Sequence, residues 1–141
     1  MKNIIYFVFL LTFVTACQSS DKNKDNSGAP EIPELLQRQA VIGPTEEMGN
    51  VNDLYQGLVA KIKANPQNID ARLTLAELFM QEARISGEHG HYFPAALNVI
   101  NNVLNENPET GLKYRAMLDK ASVLLSLHQF TEAKNTGEQA V

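Results

Sequence analysis

The sequence predicts an all-α domain built from short helices, and three observations carry that prediction. From Asn50 to the end, apolar residues recur at spacings of three and four, with no period-two stretch to suggest a strand. Two Asn-Pro pairs, Asn65-Pro66 and Asn107-Pro108, punctuate the pattern as helix stops. The chain has 141 residues, 44% hydrophobic and 20% charged, with no Trp, which suits one globular domain. Its formal net charge is −4 and the basic residues are scattered, unlike the concentrated basic surface that nucleic acid or an anionic membrane requires. A single Cys excludes an internal disulfide and a multi-Cys zinc site.

The chain opens with Lys2 followed by an apolar run, residues 4–14, broken only by Thr12. Eleven residues give a helix of roughly 16 Å, about half a bilayer core and too short to span. A basic head, a short apolar stretch and a small-residue exit describe a secretory leader over residues 1–16. The exit Val14-Thr15-Ala16-Cys17 resembles the lipobox of bacterial lipoproteins. That resemblance implies lipidation of Cys17 and cleavage before it. Several acyl chains on one residue anchor stably, whereas one chain binds only marginally. Removing Lys2 with the leader takes the net charge from −4 to −5. Within the lipoprotein family an Asp directly after the Cys favours the inner membrane. Gln18 stands there instead, so the expected address is the outer membrane facing the periplasm, with surface exposure the other outcome.

Residues 18–33 are rich in Ser, Asn, Asp, Lys, Gly and Pro, with Ile32 the only large aliphatic. Such a stretch buries too little apolar surface to offset its ordering entropy, and it reads as a linker. Residues 34–42 could form a short helix that docks on the domain, stopped by Gly43-Pro44; the whole segment 17–49 is therefore assigned to the tether. Asn50 with Asp53 makes a capping-box-like start, after which Leu54, Leu58 and Ile62 line one face. A second helix is expected over residues 69–86, with Leu73, Ala76, Met80 and Ala83 inward and Gly87 ending it. A third should begin near Pro94 and bury Ala96, Leu97, Ile100, Val103 and Leu104. A fourth follows Thr110, carrying Tyr114, Met117, Leu118, Ala121, Leu124 and Leu125. A fifth starts at Thr131 as N-cap, with Ala133 and Ala140 inward.

The spacing also carries a repeat. Arg72, Leu75, Ala76 and Phe79 fall at the offsets W-x₂-L-G-x₂-Y, and Ala96, Ile100 and Pro108 at those of an A-x₃-F…P tail. A second copy runs from Ala121 through Leu124-Leu125, Phe130 and Ala133 to Ala140, with Met117, Lys120 and Gly137 as departures. Residues 50–66 match a lone second helix. This pattern resembles the tetratricopeptide repeat (TPR), and over residues 50–141 it implies about two and a half repeats. The implied fold is antiparallel helix pairs stacked as a short right-handed solenoid. Pro66 and Pro108 lie 42 residues apart, eight more than the usual 34, and the excess is expected as an enlarged turn over residues 81–91. Solenoids need their last open face covered, so further repeats or a second subunit, including self-association, are expected at the C-terminal face, unless the Leu35-Leu36 segment folds over it.

Little in the chain suggests catalysis. His89-Gly90-His91 with Glu82 and Glu88 nearby is the sole metal-like spacing, and it reads as a polar surface loop lacking enough ligands. His128 sits where a TPR unit has Gly and reads as structural. No phosphate loop, nucleophile elbow or HExxH run occurs. The expectation is a non-enzyme without metal or cofactor. The repeat register instead implies a concave partner-binding groove of Asp70, Leu73, Thr74, Glu77, Met80, Gln81, Arg115, Asp119 and Ser122. Its apolar and acidic character suits a protein or peptide partner with some basic residues. Leu73 and Glu77 replace the Lys and Asn of the cytosolic chaperone-tail clamp, which sets that role aside. The expected function is a membrane-anchored TPR scaffold in an envelope assembly of the outer-membrane-protein, pilus or cytochrome biogenesis type. The alternative is a ligand-binding lipoprotein of a nutrient-uptake system.

Overall fold

The computed structural model describes residues 32–39 and 41–141, so the expected leader, the expected lipidation site Cys17 and the rest of residues 1–31 lie outside the described residues. Five helices, with no strand among the described residues, follow in order: α1 Thr45–Ala64, α2 Ile69–Ser86, α3 His89–Asn105, α4 Thr110–Ser126 and α5 Phe130–Ala140. None of the described helices is long and apolar enough to cross a membrane.

The limits of α2 follow from local chemistry. The Asn68 side chain accepts from Ala71 N–H at 3.0 Å, and Gly87 closes the helix in the left-handed conformation at φ 78°. Helix α1 begins at Thr45, five residues ahead of the Asn50 start. Gly43-Pro44 releases the chain into it, and Glu46 and Glu47 sit in its first turn, where the helix dipole favours acids. The enlarged turn over residues 81–91 is absent. Helix α2 runs on to Ser86 and α3 begins at His89, so the eight extra residues are spent as added helical turns. Pro94 therefore lies inside α3, where it cannot donate to the Gly90 carbonyl. Both residues are exposed, and water can serve that carbonyl instead. Helix α5 begins at Phe130 with Gln129 as its cap, which moves Thr131 into the first turn.

The core lies chiefly between α2 and α3, whose mutual contacts, with those of α4 and α5, are the most extensive. Phe79, Tyr92 and Phe93 fill it, and Phe79 and Tyr92 stack with ring centroids 5.7 Å apart. Ala76, Ala83 and Ala96 are fully buried, small where neighbouring helices approach closely. Arg72, where the TPR pattern has Trp, is also buried and donates to Glu106 at 2.6 Å.

Residues 32–39 do not form the short helix that the sequence suggested. They run without regular secondary structure, and Ile32, Leu35 and Leu36 pack half-buried against the core. Proline disfavours helical backbone in the residue before it, here Ile32 before Pro33 and Gly43 before Pro44.

Candidate functional site

On α2, residues 70, 74, 77, 81 and 84 recur every three or four positions and share one stripe. On α4, residues 115, 119 and 122 do the same. The two stripes meet. Arg115 donates to Asp70 Oδ1 at 2.6 Å, to Glu77 Oε1 and Oε2 at 2.7 and 2.9 Å, and to Thr74 Oγ1 at 3.1 Å. The Thr74 hydroxyl in turn donates to the Asp70 carbonyl at 2.9 Å. Arg84 reaches Ser122 Oγ at 3.1 Å.

Six of the nine groove residues are thus gathered: Asp70, Thr74, Glu77, Arg115, Asp119 and Ser122. Gln81 is exposed in the same stripe. Leu73 and Met80 are not in it. They are 0% and 5% exposed in the core, one step around the helix from the stripe, so no partner could touch them.

The electrostatics centre on Arg115 and Asp119. Hydrogen bonds donated to Glu77 and then to Asp70 hold the guanidinium above its usual range against the opposing effect of burial. Asp119 Oδ2 is buried with no hydrogen-bond partner. Burial, reinforced by the negative charge of Glu77 and only partly offset by Arg115, raises the Asp119 carboxyl to about 6. The seam sets three acids, Asp70, Glu77 and Asp119, beside two arginines, Arg115 and Arg84, and Asp70 and Glu77 keep part of their carboxylate surface open to solvent.

Sequence reasoning missed two groups here. Arg84 is the next position along the α2 stripe and could have been read from the same register. Tyr114, Leu118 and Leu125, assigned to the core, are 45%, 43% and 53% exposed. They align at i, i+4 and i+11 beside the Arg115–Asp119–Ser122 stripe and form an apolar margin to the acidic seam. Helix α4 carries more apolar positions than one buried face can hold, and that surplus was the available signal.

The C-terminal face divides similarly. Leu124 and Ala133 are buried, while Leu125 and Phe130 are exposed. Leu35 and Leu36 pack against the core, in a segment bonded to Tyr55 of α1 and to His91 and Tyr92 of α3.

The histidines have local roles. His91 Nε2 donates to the Glu34 carbonyl at 2.8 Å, and His89 packs on Phe93 with centroids 5.1 Å apart. Among the described residues no three His, Cys, Asp or Glu side chains converge in a metal-binding arrangement. No protein-family model matches the chain, and no curated protein or solved structure is significantly similar to it.

Proposed function

We propose that the protein is a membrane-tethered scaffold whose α2–α4 seam holds a basic, partly apolar segment of a protein partner within an envelope assembly. The observation that carries this reading is the seam itself: Asp70 and Glu77 on α2, partly open to solvent beside Arg115 of α4 and bordered by Tyr114, Leu118 and Leu125. Acidic groups select a basic partner, and an apolar margin supplies the burial that gives affinity.

Three features support the TPR-like solenoid on which the reading rests. Arg72 near the start of α2 bonds Glu106 just beyond α3, the register of an antiparallel pair. Contacts from α2 to α4 advance together, from Asp70–Arg115 to Arg84–Ser122, as first helices of successive repeats would. His128 takes φ 60°, a left-handed conformation at the position where the repeat family has Gly. The lipobox-like exit at Cys17 supports the tether, and Gln18 after it an outer-membrane address.

A pull-down from detergent-solubilised membranes, using the full chain and its Glu77→Lys and Leu118→Glu variants, tests the reading. A stoichiometric protein retained by the native chain and lost with both variants supports it. A small molecule that co-purifies instead, with no protein, supports the nutrient-uptake alternative. For that reading the cleft of about 490 Å³ between α4 and the C-terminal residues, lined by Lys113, Tyr114 and Met117 among others, is the place to look.

A further inference from the structure

Residues 32–39 are held by side chains from three helices. Tyr55 of α1 donates its hydroxyl to the Pro33 carbonyl at 2.9 Å. His91 of α3 donates to the Glu34 carbonyl at 2.8 Å, and the Tyr92 hydroxyl accepts from the Leu36 N–H at 2.9 Å. Between these backbone contacts the Leu35 and Leu36 side chains rest against the core. Two residues on, Arg38 Nε and Nη2 donate to the two carboxylate oxygens of Glu82 at 2.8 and 2.6 Å, and Nη1 donates to Glu47 at 2.7 Å. Main-chain groups, two adjacent leucines and an arginine are each met by a dedicated feature of the domain.

Glu82 is the selective element. It is fully buried on α2, and a buried carboxylate is tolerable only when paired and hydrogen-bonded. Two parallel N–H bonds from one guanidinium fit it; the point charge of a lysine does not. Glu82, His91 and Tyr92 all lie in the stretch where the α2–α3 pair exceeds the 34-residue repeat, so the added helical turns supply the site.

The bound segment has the marks of a ligand more than of a core element. It has no regular secondary structure, its apolar side chains stay half-buried, and it joins α1 through a bend at Gly43 with φ 75°. A segment held by side chains outside any helix can open locally while the helices stay folded.

We propose that Tyr55, Glu82, His91 and Tyr92 form a binding site for an extended peptide with two adjacent aliphatic residues and an arginine two positions beyond, and that residues 32–39 fill it as a displaceable intramolecular ligand. The occupant in exchange is a partner segment of the same Leu-Leu-x-Arg chemistry. The site is distinct from the α2–α4 seam and does not depend on it.

A fluorescein-labelled peptide of residues 31–40, titrated with the full chain in detergent and read by anisotropy, tests this. In the Arg38→Glu chain, Glu82 and Glu47 repel the resident segment, and the peptide binds at least about tenfold more tightly than to the native chain. Replacing the peptide's own arginine (Arg38→Ala), or adding Glu82→Gln to the chain, removes that gain. A folded Arg38→Glu chain that binds no better than the native one overturns the proposal, as does binding indifferent to the peptide's arginine. Should Arg38→Glu fail to fold, a protease site inserted between Ile42 and Gly43 replaces it. After cleavage, excess peptide displaces the severed segment from the helices; a segment that stays bound against excess peptide overturns the proposal.

Discussion

Arg115 on α4 grips both carboxylate oxygens of Glu77 on α2, at 2.7 and 2.9 Å, and so joins two helices separated in sequence by the whole of α3. The pair is partly open to solvent, with side chains 30% and 40% exposed, so screening limits its energetic weight. Arg115→Ala should cost about 1 kcal/mol in urea-unfolding free energy. It should also move the Asp119 titration midpoint, followed by carboxyl NMR, above its native value of about 6, because the one neighbouring positive charge is lost.

Asp119 itself gives stability a pH dependence of definite sign. Its carboxyl titrates near 6 when folded against an ordinary 3.8, so the folded state holds the proton more tightly. Its contribution is intact below pH 4 and declines as pH rises through that window. Asp119→Asn should be nearly neutral at pH 4 and should stabilise by about 1 kcal/mol at pH 8, after discounting for partial solvent exposure. Denaturation midpoints at the two pH values check it, and equal shifts at both would contradict the sign.

Removing one member of the Arg38–Glu82 pair leaves the other stranded. Arg38→Ala should cost about 3 kcal/mol, since a buried carboxylate loses its partner. The double variant Arg38→Met, Glu82→Leu should cost far less than Arg38→Ala, because no charge is left buried. Thermal or urea unfolding of the three chains measures the difference.

Gly137 lies inside α5, and a Cβ there would meet no atom within 4 Å. Gly137→Ala should stabilise by about 0.5–1 kcal/mol, by lowering the backbone entropy lost on folding. A small rise in the unfolding midpoint without a change in its slope is the expected result.

Lipidation at Cys17 predicts that Cys17→Ala abolishes labelling by radioactive palmitate and leaves an unprocessed or soluble chain. Membrane fractionation and label unchanged from the native chain would show that the anchor lies elsewhere.

The parts of the fold legible in the sequence were those set by neighbours in the chain. Gly87 ends α2, and the Asn-Pro stops end α1 and α3, because a cap or a proline acts within a few residues. The start of α1 was hidden because the turn from Thr45 to Asn50 offers only Met48 to an apolar periodicity. The start of α3 was hidden because Pro94 looks like a first-turn residue, whereas Glu88, where the helix begins, makes no side-chain cap hydrogen bond. Leu73 and Met80 were drawn into the groove because they lie beside the α2 stripe, and only packing against α3 decides which side they face. Residues 32–39 carry too few apolar positions to announce a structure. Their conformation depends on Glu82 and Tyr92, dozens of residues away.

Docking of residues 32–39 also sets a reach. With Cys17 as the anchor, a free chain as far as Thr45 would span at most about 95 Å, whereas the stretch from Cys17 to Ile32 spans at most about 50 Å. Were Cys17 lipidated as proposed, the docked segment would act as a takeup on the leash, roughly halving the radius open to the domain around the anchor. Undocking would roughly double the distance at which the α2–α4 seam can meet a partner, so occupancy of one site governs how far the other can search.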